Sequence, residues 1–109
     1  MAIQVHFAKL NCIRTEDSGT DECVVRWNGN PIWMRSMEEG DIVDVASFQV
    51  LTADTGVVSL TETDGGPFDP DDHLGAHAIR KDELHQGWHR AFFKSDDADY
   101  FLDYEVFEG

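Results

Sequence analysis

Apolar and polar residues alternate along most of this chain, and a period of two predicts β-strands rather than helices. The first segment, "IQVHFAKLNCIR", places Ile3, Val5 and Phe7 on one face, followed by Leu10 and Cys12 after a change of phase at positions 8 and 9. A phase change inside an alternating segment is typical of a β-bulge. Only segment 79–86 has a pattern that predicts a short helix.

The alternation continues to the end of the chain. The second segment, "ECVVRWNG", is followed by a tight turn at "NGN" (28–30). The tail predicts a hairpin with its loop at 95–99, and the inward side chains of its second strand are Tyr100, Leu102, Tyr104 and Val106. Seven or eight short strands separated by turn signals predict an all-β fold, an antiparallel β-sandwich in which residues 1–109 form one domain.

Charge narrows the range of partners. The 109 residues include 22 Asp and Glu against 8 Lys and Arg, a net charge of −14, which repels the phosphates of nucleic acids. No apolar stretch approaches the roughly 20 residues that span a bilayer, so we expect no transmembrane segment. The start, "MAIQVHF", has no basic region and no long apolar run. We therefore expect a soluble protein without a signal peptide, either cytoplasmic or exported by a leaderless route.

The two cysteines and the three tryptophans have structural interpretations. If residues 17 and 18 were the tip of a simple hairpin, Cys12 and Cys23 would face each other and could form a disulfide. The alternative, two buried free thiols on separate strands, agrees with the tendency of cysteine to be buried. We expect Trp27, Trp33 and Trp88 to pack in the core or at its edge.

Two acidic segments stand between predicted strands, "TEDSGTDE" and "ETDGGPFDPDDHLG". Like charges a few ångströms apart cost about 1 kcal/mol per pair at a wet surface, and more when partly buried. Calcium binds six to eight carboxylate and carbonyl oxygens and would neutralise such loops. In the second segment the candidate ligands are the carboxylates that leave one strand and lead into the next: Glu62, Asp64, Asp69, Asp71 and Asp72. The spacing of an EF-hand is not met from any starting residue.

These segments resemble the calcium-binding loops of C-two (C2) domains, the calcium- and lipid-binding β-sandwiches of protein kinase C and synaptotagmin. The third calcium loop of that family has Asp-x-Asp, a short loop, and an Asp two residues before an apolar-Gly pair. Glu62, Asp64 and Asp72 take the three acidic positions here, and Leu74-Gly75 is similar to the apolar-Gly pair. The resemblance implies a calcium-binding β-sandwich.

The first acidic segment, "DSGTDECVVRW", resembles the first calcium loop of the family, Gly-x-Ser-Asp-Pro-Tyr. Asp21 matches the Asp of that motif. Thr15 stands where the family has an earlier acidic ligand, and Asp17 or Glu16 takes that place if the loop is shorter. The resemblance thus adds Asp17 and Asp21 to the predicted calcium ligands. A lysine-rich groove for acidic lipids is not evident.

No phosphate-binding loop, nucleophile elbow or Ser/His/Asp set is found, so we expect a protein that is not an enzyme. The favoured function is calcium-dependent or calcium-stabilised recognition of a protein partner through the acidic loops. One alternative is calcium-dependent docking to a phospholipid membrane, and another is an interaction protein whose acidic loops hold no specific metal. Phe68 and Trp33 are candidate contacts with a partner or a membrane, although either side chain would equally fit local packing.

Overall fold

The computed structural model describes residues 2–16, 19–63, 72–95 and 97–109. Eight strands lie within these ranges: β1 (Ile3–Arg14), β2 (Thr20–Trp27), β3 (Asn30–Glu38), β4 (Ile42–Val50), β5 (Thr55–Glu62), β6 (Asp72–Arg80), β7 (Trp88–Lys94) and β8 (Asp99–Glu108). The short helix predicted over 79–86 is a single 3₁₀ turn at Lys81–Glu83, because its first two residues continue β6. The prediction of seven or eight short strands is confirmed.

The strands form two antiparallel sheets of four, ordered β4-β1-β8-β7 and β3-β2-β5-β6. The predicted antiparallel β-sandwich is therefore confirmed. The simple hairpin considered for the first two strands is wrong, because β1 and β2 lie in different sheets. β1 already pairs with β4 on one side and β8 on the other, so no edge of β1 is left for β2.

The core lies between the two sheets and contains the side chains that alternation placed inward. In β1 the buried residues are Val5, Phe7, Leu10 and Cys12, and the register with β4 shifts between Phe7 and Lys9, which confirms the bulge. In β8 all four predicted inward residues are buried: Tyr100, Leu102, Tyr104 and Val106. The ring of Phe7 meets that of Trp27 edge-on, with centroids 5.6 Å apart, so aromatic packing joins the two sheets.

The loops divide between the two ends of the sandwich, because every strand is antiparallel to its neighbours. The strand ends that are joined by the connections β1–β2, β3–β4, β5–β6 and β7–β8 all lie at one end, which we call the acidic end. Hydrogen bonds tie these loops together: Arg14 Nε donates to the carbonyl of Asp97 (2.7 Å), and the Thr63 amide donates to the carbonyl of Glu22 (2.9 Å). The described residues that flank the two acidic segments of the sequence thus belong to the same end.

The tight turn predicted at "NGN" connects β2 to β3. Asn28 and Gly29 have φ angles of 50° and 87°, the left-handed pair that a two-residue hairpin turn requires. Asparagine tolerates this region better than other residues with a side chain, and glycine enters it without steric cost. The local sequence therefore determines this turn.

The tryptophans have three different environments. Trp27 is buried, and Trp33 is half-buried against the core. Trp88 is 54% exposed, so its predicted packing in or beside the core is wrong. Alternation explains the difference: in β7 the neighbours Ala91 and Phe93 point inward, which leaves Trp88 on the outer face. Within the described residues, no helix has the length and apolarity that crossing a bilayer requires.

Gly56 in β5 gives the first testable prediction. A Cβ atom at this position would lie 2.2 Å from Cη2 of the buried Trp27 ring. Overpacking of this kind costs about 1–3 kcal/mol, so Gly56→Ala should lower the free energy of unfolding by that amount. Urea denaturation measures the change, and Thr55→Ala, at an exposed neighbouring position, serves as the control. Equal stability of Gly56→Ala and the wild type would contradict the close packing of Trp27 on Gly56.

Candidate metal centre

Three carboxylates converge at the acidic end. Glu16 follows β1, Glu62 ends β5 and Asp72 begins β6, and one oxygen of each lies within 4.8 Å of the other two. Glu62 and Asp72 are direct partners in the β5–β6 register, so the sheet itself places them side by side. Among the described residues this is the one group of three potential ligands with such spacing.

The environment of these carboxylates makes their proximity unfavourable without a counter-charge. Glu62 is only 3% exposed, whereas Asp72 lies at the surface. Oε2 of Glu16 is buried and has no hydrogen-bonding partner among the described residues. Repulsion between like charges increases as water is excluded, so the group favours a bound cation.

The spacing of the oxygens fits a hard divalent cation. Calcium lies about 2.3–2.6 Å from each oxygen ligand, so two ligands of one ion are at most about 5 Å apart. The limit of 4.8 Å within the group satisfies this condition. All three donors are carboxylates, the ligand type of calcium and magnesium rather than of zinc or copper.

Asp21 is placed differently from these three residues. It is fully buried, and its Oδ2 accepts hydrogen bonds from the Tyr100 hydroxyl (2.6 Å) and from the Glu16 amide (2.8 Å). The structure therefore does not bring Asp21 into the group of three. It gives Asp21 a role in fixing the backbone at Glu16.

Tyr100 was predicted only as an inward-facing core residue, and its contact with Asp21 was missed. Burial raises the pKa of its phenol far above the ordinary range, and the hydrogen bond to Asp21 raises the pKa further. Tyr100 therefore stays protonated and can act as a permanent donor to Asp21. The sequence places Tyr100 near the start of the last predicted strand, next to a loop. It does not indicate which partner the Tyr100 hydroxyl contacts.

The two cysteines lie beside the same tyrosine. Both are free, buried thiols. Burial raises the pKa of Cys12, and it raises the pKa of Cys23 to about 12, although the nearby Tyr100 side chain acts in the opposite direction. Both side chains are therefore protonated thiols at neutral pH.

Several predicted site residues lie outside the described part of the chain. These are the predicted ligands Asp17, Asp64, Asp69 and Asp71 and the predicted contact residue Phe68. Trp33, the other predicted contact, lies on β3 and is half-buried against the core. Its neighbour Met34 is the more exposed residue of that segment.

Comparison with known proteins agrees with this architecture. No protein-family model matches the sequence, and a search of curated proteins also found no match. In structure, the chain is similar to the A and B C2 domains of Extended-Synaptotagmin 2, with a TM-score of 0.53 and 16% sequence identity. The similarity covers 95% of this chain and 39% of that chain. The protein thus has a C2-like β-sandwich fold, and at this identity the likeness establishes the fold alone.

The raised pKa of Cys23 gives a prediction about alkaline pH. The thiol has an ordinary pKa of 9.0, which rises to about 12 in the folded protein. Between these values the unfolded chain releases a proton that the folded chain retains, so rising pH favours unfolding. The stabilising contribution is complete below pH 9 and is lost as the pH rises toward 12.

Urea denaturation at neutral and alkaline pH measures this loss. Cys23→Ala lowers stability at neutral pH through the cavity that it creates, but it should make the alkaline decrease in stability smaller than in the wild type. The same alkaline decrease in both proteins would show that the Cys23 thiol does not cause it.

Proposed function

We propose that this protein is a non-enzymatic calcium-binding module that recognises a protein partner, with calcium bound at the acidic end. The observation that carries this proposal is the convergence of Glu16, Glu62 and Asp72, whose oxygens lie within 4.8 Å of one another. The C2-like fold supports it, because the acidic end is where both acidic loops emerge from the sheets.

Calcium fits the donor set better than magnesium. Calcium accepts six to eight oxygens in variable geometry, whereas magnesium requires an octahedron and retains several waters. Three carboxylates, from the end of β5, the start of β6 and the loop after β1, favour the more adaptable ion. In our proposal the remaining ligands come from the four acidic residues that the sequence places in the same two loops: Asp17, Asp64, Asp69 and Asp71.

Asp21 stays a predicted ligand, and its hydrogen bonds suggest a second contribution. The Glu16 amide donates to Asp21, so Asp21 restricts the positions that the Glu16 carboxylate can adopt. A ligand that is held in place before the ion arrives loses less conformational freedom on binding. We therefore propose that Asp21 and Tyr100 increase calcium affinity by ordering the first acidic loop.

The net charge of −14 is the reason for favouring a protein partner over a membrane. Anionic lipid headgroups are repelled by such a charge unless calcium ions bridge the two surfaces. In the membrane alternative, Phe68 would insert into the bilayer. Tight calcium-dependent sedimentation with phosphatidylserine vesicles, lost in Phe68→Ala, would replace the protein-partner proposal with membrane docking.

Thermal unfolding tests whether calcium binds at all. We expect millimolar calcium to raise the melting temperature and magnesium to raise it much less. An ion present at 100 times its dissociation constant stabilises the folded state by about 2.7 kcal/mol. Differential scanning calorimetry with calcium, magnesium or chelator provides the comparison. Superimposable curves would favour the alternative in which the acidic loops hold no metal.

A pair of substitutions tests whether the binding is specific. Asp72→Asn removes one charge from the group of three, so calcium affinity measured by titration calorimetry should fall by more than about tenfold. Without calcium the variant should be as stable as the wild type or slightly more stable, because repulsion with Glu16 and Glu62 is relieved.

Asp97→Asn is the matched control. Asp97 is exposed, lies between β7 and β8 at the same end and is outside the group of three carboxylates, and the substitution removes the same charge. Calcium affinity should be nearly unchanged. If the two substitutions weaken calcium binding equally, the ion only screens an acidic surface and the site assignment fails.

A further inference from the structure

The outer face of the β4-β1-β8-β7 sheet holds most of the exposed large apolar side chains among the described residues. Six of the eight lie there, each between 48% and 62% exposed: Ile13, Ile42, Phe48, Val50, Trp88 and Phe92. The other two, Met34 and Val57, lie on the other sheet. Apolar side chains concentrated on one face of a small domain are typical of a binding surface. We call this surface the aromatic face.

A row of side chains crosses all four strands of this face. The strand register places Phe48, His6, Glu105 and Trp88 side by side. The His6 ring stacks on Phe48 with centroids 4.3 Å apart and meets Trp88 edge-on at 5.4 Å. The rings support one another before any partner binds, so little side-chain entropy is lost on binding.

A depression lies beside this row, where β1 is bulged. It is lined by Ala8, Lys9, Trp88, Arg90 and Asp103 among others. The small side chain of Ala8 leaves space at the bulge, and the exposed indole of Trp88 lies at the boundary of that space. The aromatic face therefore offers a recess for a side chain as well as a flat apolar surface.

The charges on the aromatic face indicate what kind of partner it fits. Three basic residues on the outer side of this sheet form ion pairs with carboxylates on neighbouring strands. The nitrogen–oxygen distances are 3.5 Å for Lys9 and Asp44, 3.1 Å for Arg90 and Asp103, and 3.9 Å for Lys94 and Asp99. Glu105 forms no ion pair with the described residues, although it lies between His6 and Trp88 in the row. The unneutralised charge in the row is negative.

We propose that the aromatic face binds a basic, amphipathic segment of a protein partner, whose lysine or arginine side chain lies over Trp88 and forms an ion pair with Glu105. A cation over an indole ring is attracted by the ring quadrupole, and the adjacent carboxylate adds a charge-assisted hydrogen bond. Apolar side chains of the same segment contact Phe48 and the recess beside Trp88.

Charge complementarity selects this occupant over two others. A second copy of this chain carries the same net charge of −14, and an anionic membrane carries the same sign, so both are repelled at long range. A cationic segment is attracted to the whole protein and is then oriented by Glu105. The aromatic rings supply the buried contact area on which affinity depends.

This inference deepens the proposed recognition of a protein partner and rests on it, but it does not depend on calcium. Glu62 and Asp72 lie on the other sheet, and Glu16 lies in a loop beyond the end of β1. Binding to the aromatic face is therefore expected in the presence of a chelator. If this inference is wrong, the peptide does not bind in chelator. If the calcium site is wrong, calcium does not raise the melting temperature.

The experiment uses a synthetic peptide of alternating leucine and lysine, and the same peptide with glutamate in place of lysine. Titration calorimetry is performed in chelator at physiological ionic strength. We expect the lysine peptide to bind and the glutamate peptide not to bind. Trp88→Ala and Glu105→Gln should each weaken binding by about fivefold or more, because both remove a central contact.

Two matched variants control for non-specific attraction. Met34→Ala removes an apolar side chain from the other sheet that is more exposed than Trp88, and Asp97→Asn removes the same charge as Glu105→Gln. The affinity of both variants for the lysine peptide should stay within about twofold of the wild-type affinity, which is less than the change expected for a central contact. Equal weakening by all four substitutions would overturn the proposal, as would the absence of binding to the lysine peptide.

Two further measurements test whether a second copy of this chain or a membrane binds the aromatic face instead. Concentration-dependent dimerisation in analytical ultracentrifugation, lost in Trp88→Ala, would assign the aromatic face to a second copy of this chain and overturn the proposal. Vesicle binding lost in the same variant would assign it to a membrane, also against the proposal. If Trp88→Ala loses peptide binding but keeps the calcium-induced rise in melting temperature, the aromatic face acts independently of the calcium site, as we propose.

Discussion

The hydrogen bond from the Tyr100 hydroxyl to the Asp21 carboxylate joins the two sheets at the acidic end, since Tyr100 lies on β8 and Asp21 on β2. Both side chains are fully buried, so the bond forms where water does not compete. A buried carboxylate without donors would be strongly destabilising, and here the phenol and the Glu16 amide satisfy it. The same oxygen therefore connects the hydrophobic core to the loop that carries Glu16.

That connection explains how a small domain can keep several carboxylates close together. The β5–β6 register brings Glu62 and Asp72 into one row, and Asp21 holds the backbone of Glu16 near them. The favourable free energy comes from sheet pairing and core packing, and part of it offsets the repulsion among the carboxylates.

Local patterns determined which parts of this structure could be predicted from the sequence. Alternation has a period of two, so it identified the strands, the β1 bulge and the inward residues of β8, and Asn28-Gly29 identified a turn. Strand order could not be read in this way, because it depends on long-range pairing. The bond between Tyr100 and Asp21 joins residues separated by 79 positions, and neither residue indicates the other. The exposure of Trp88 was missed because alternation shows which residues share a face but not which face is buried.

The acidic end and the aromatic face both depend on β1, which runs through the centre of one sheet. His6 lies in the aromatic row near the start of this strand, and Glu16 follows its end. A shared strand does not by itself couple the two sites, because coupling requires an element with two arrangements that both ligands favour unequally. β1 is paired along both edges, to β4 and β8, and its inner face is buried, so a second arrangement of this strand would break pairing with both neighbours and packing with the core. Calcium in the proposed function would therefore act on the loops of the acidic end, while the aromatic rings remain in place with or without the ion.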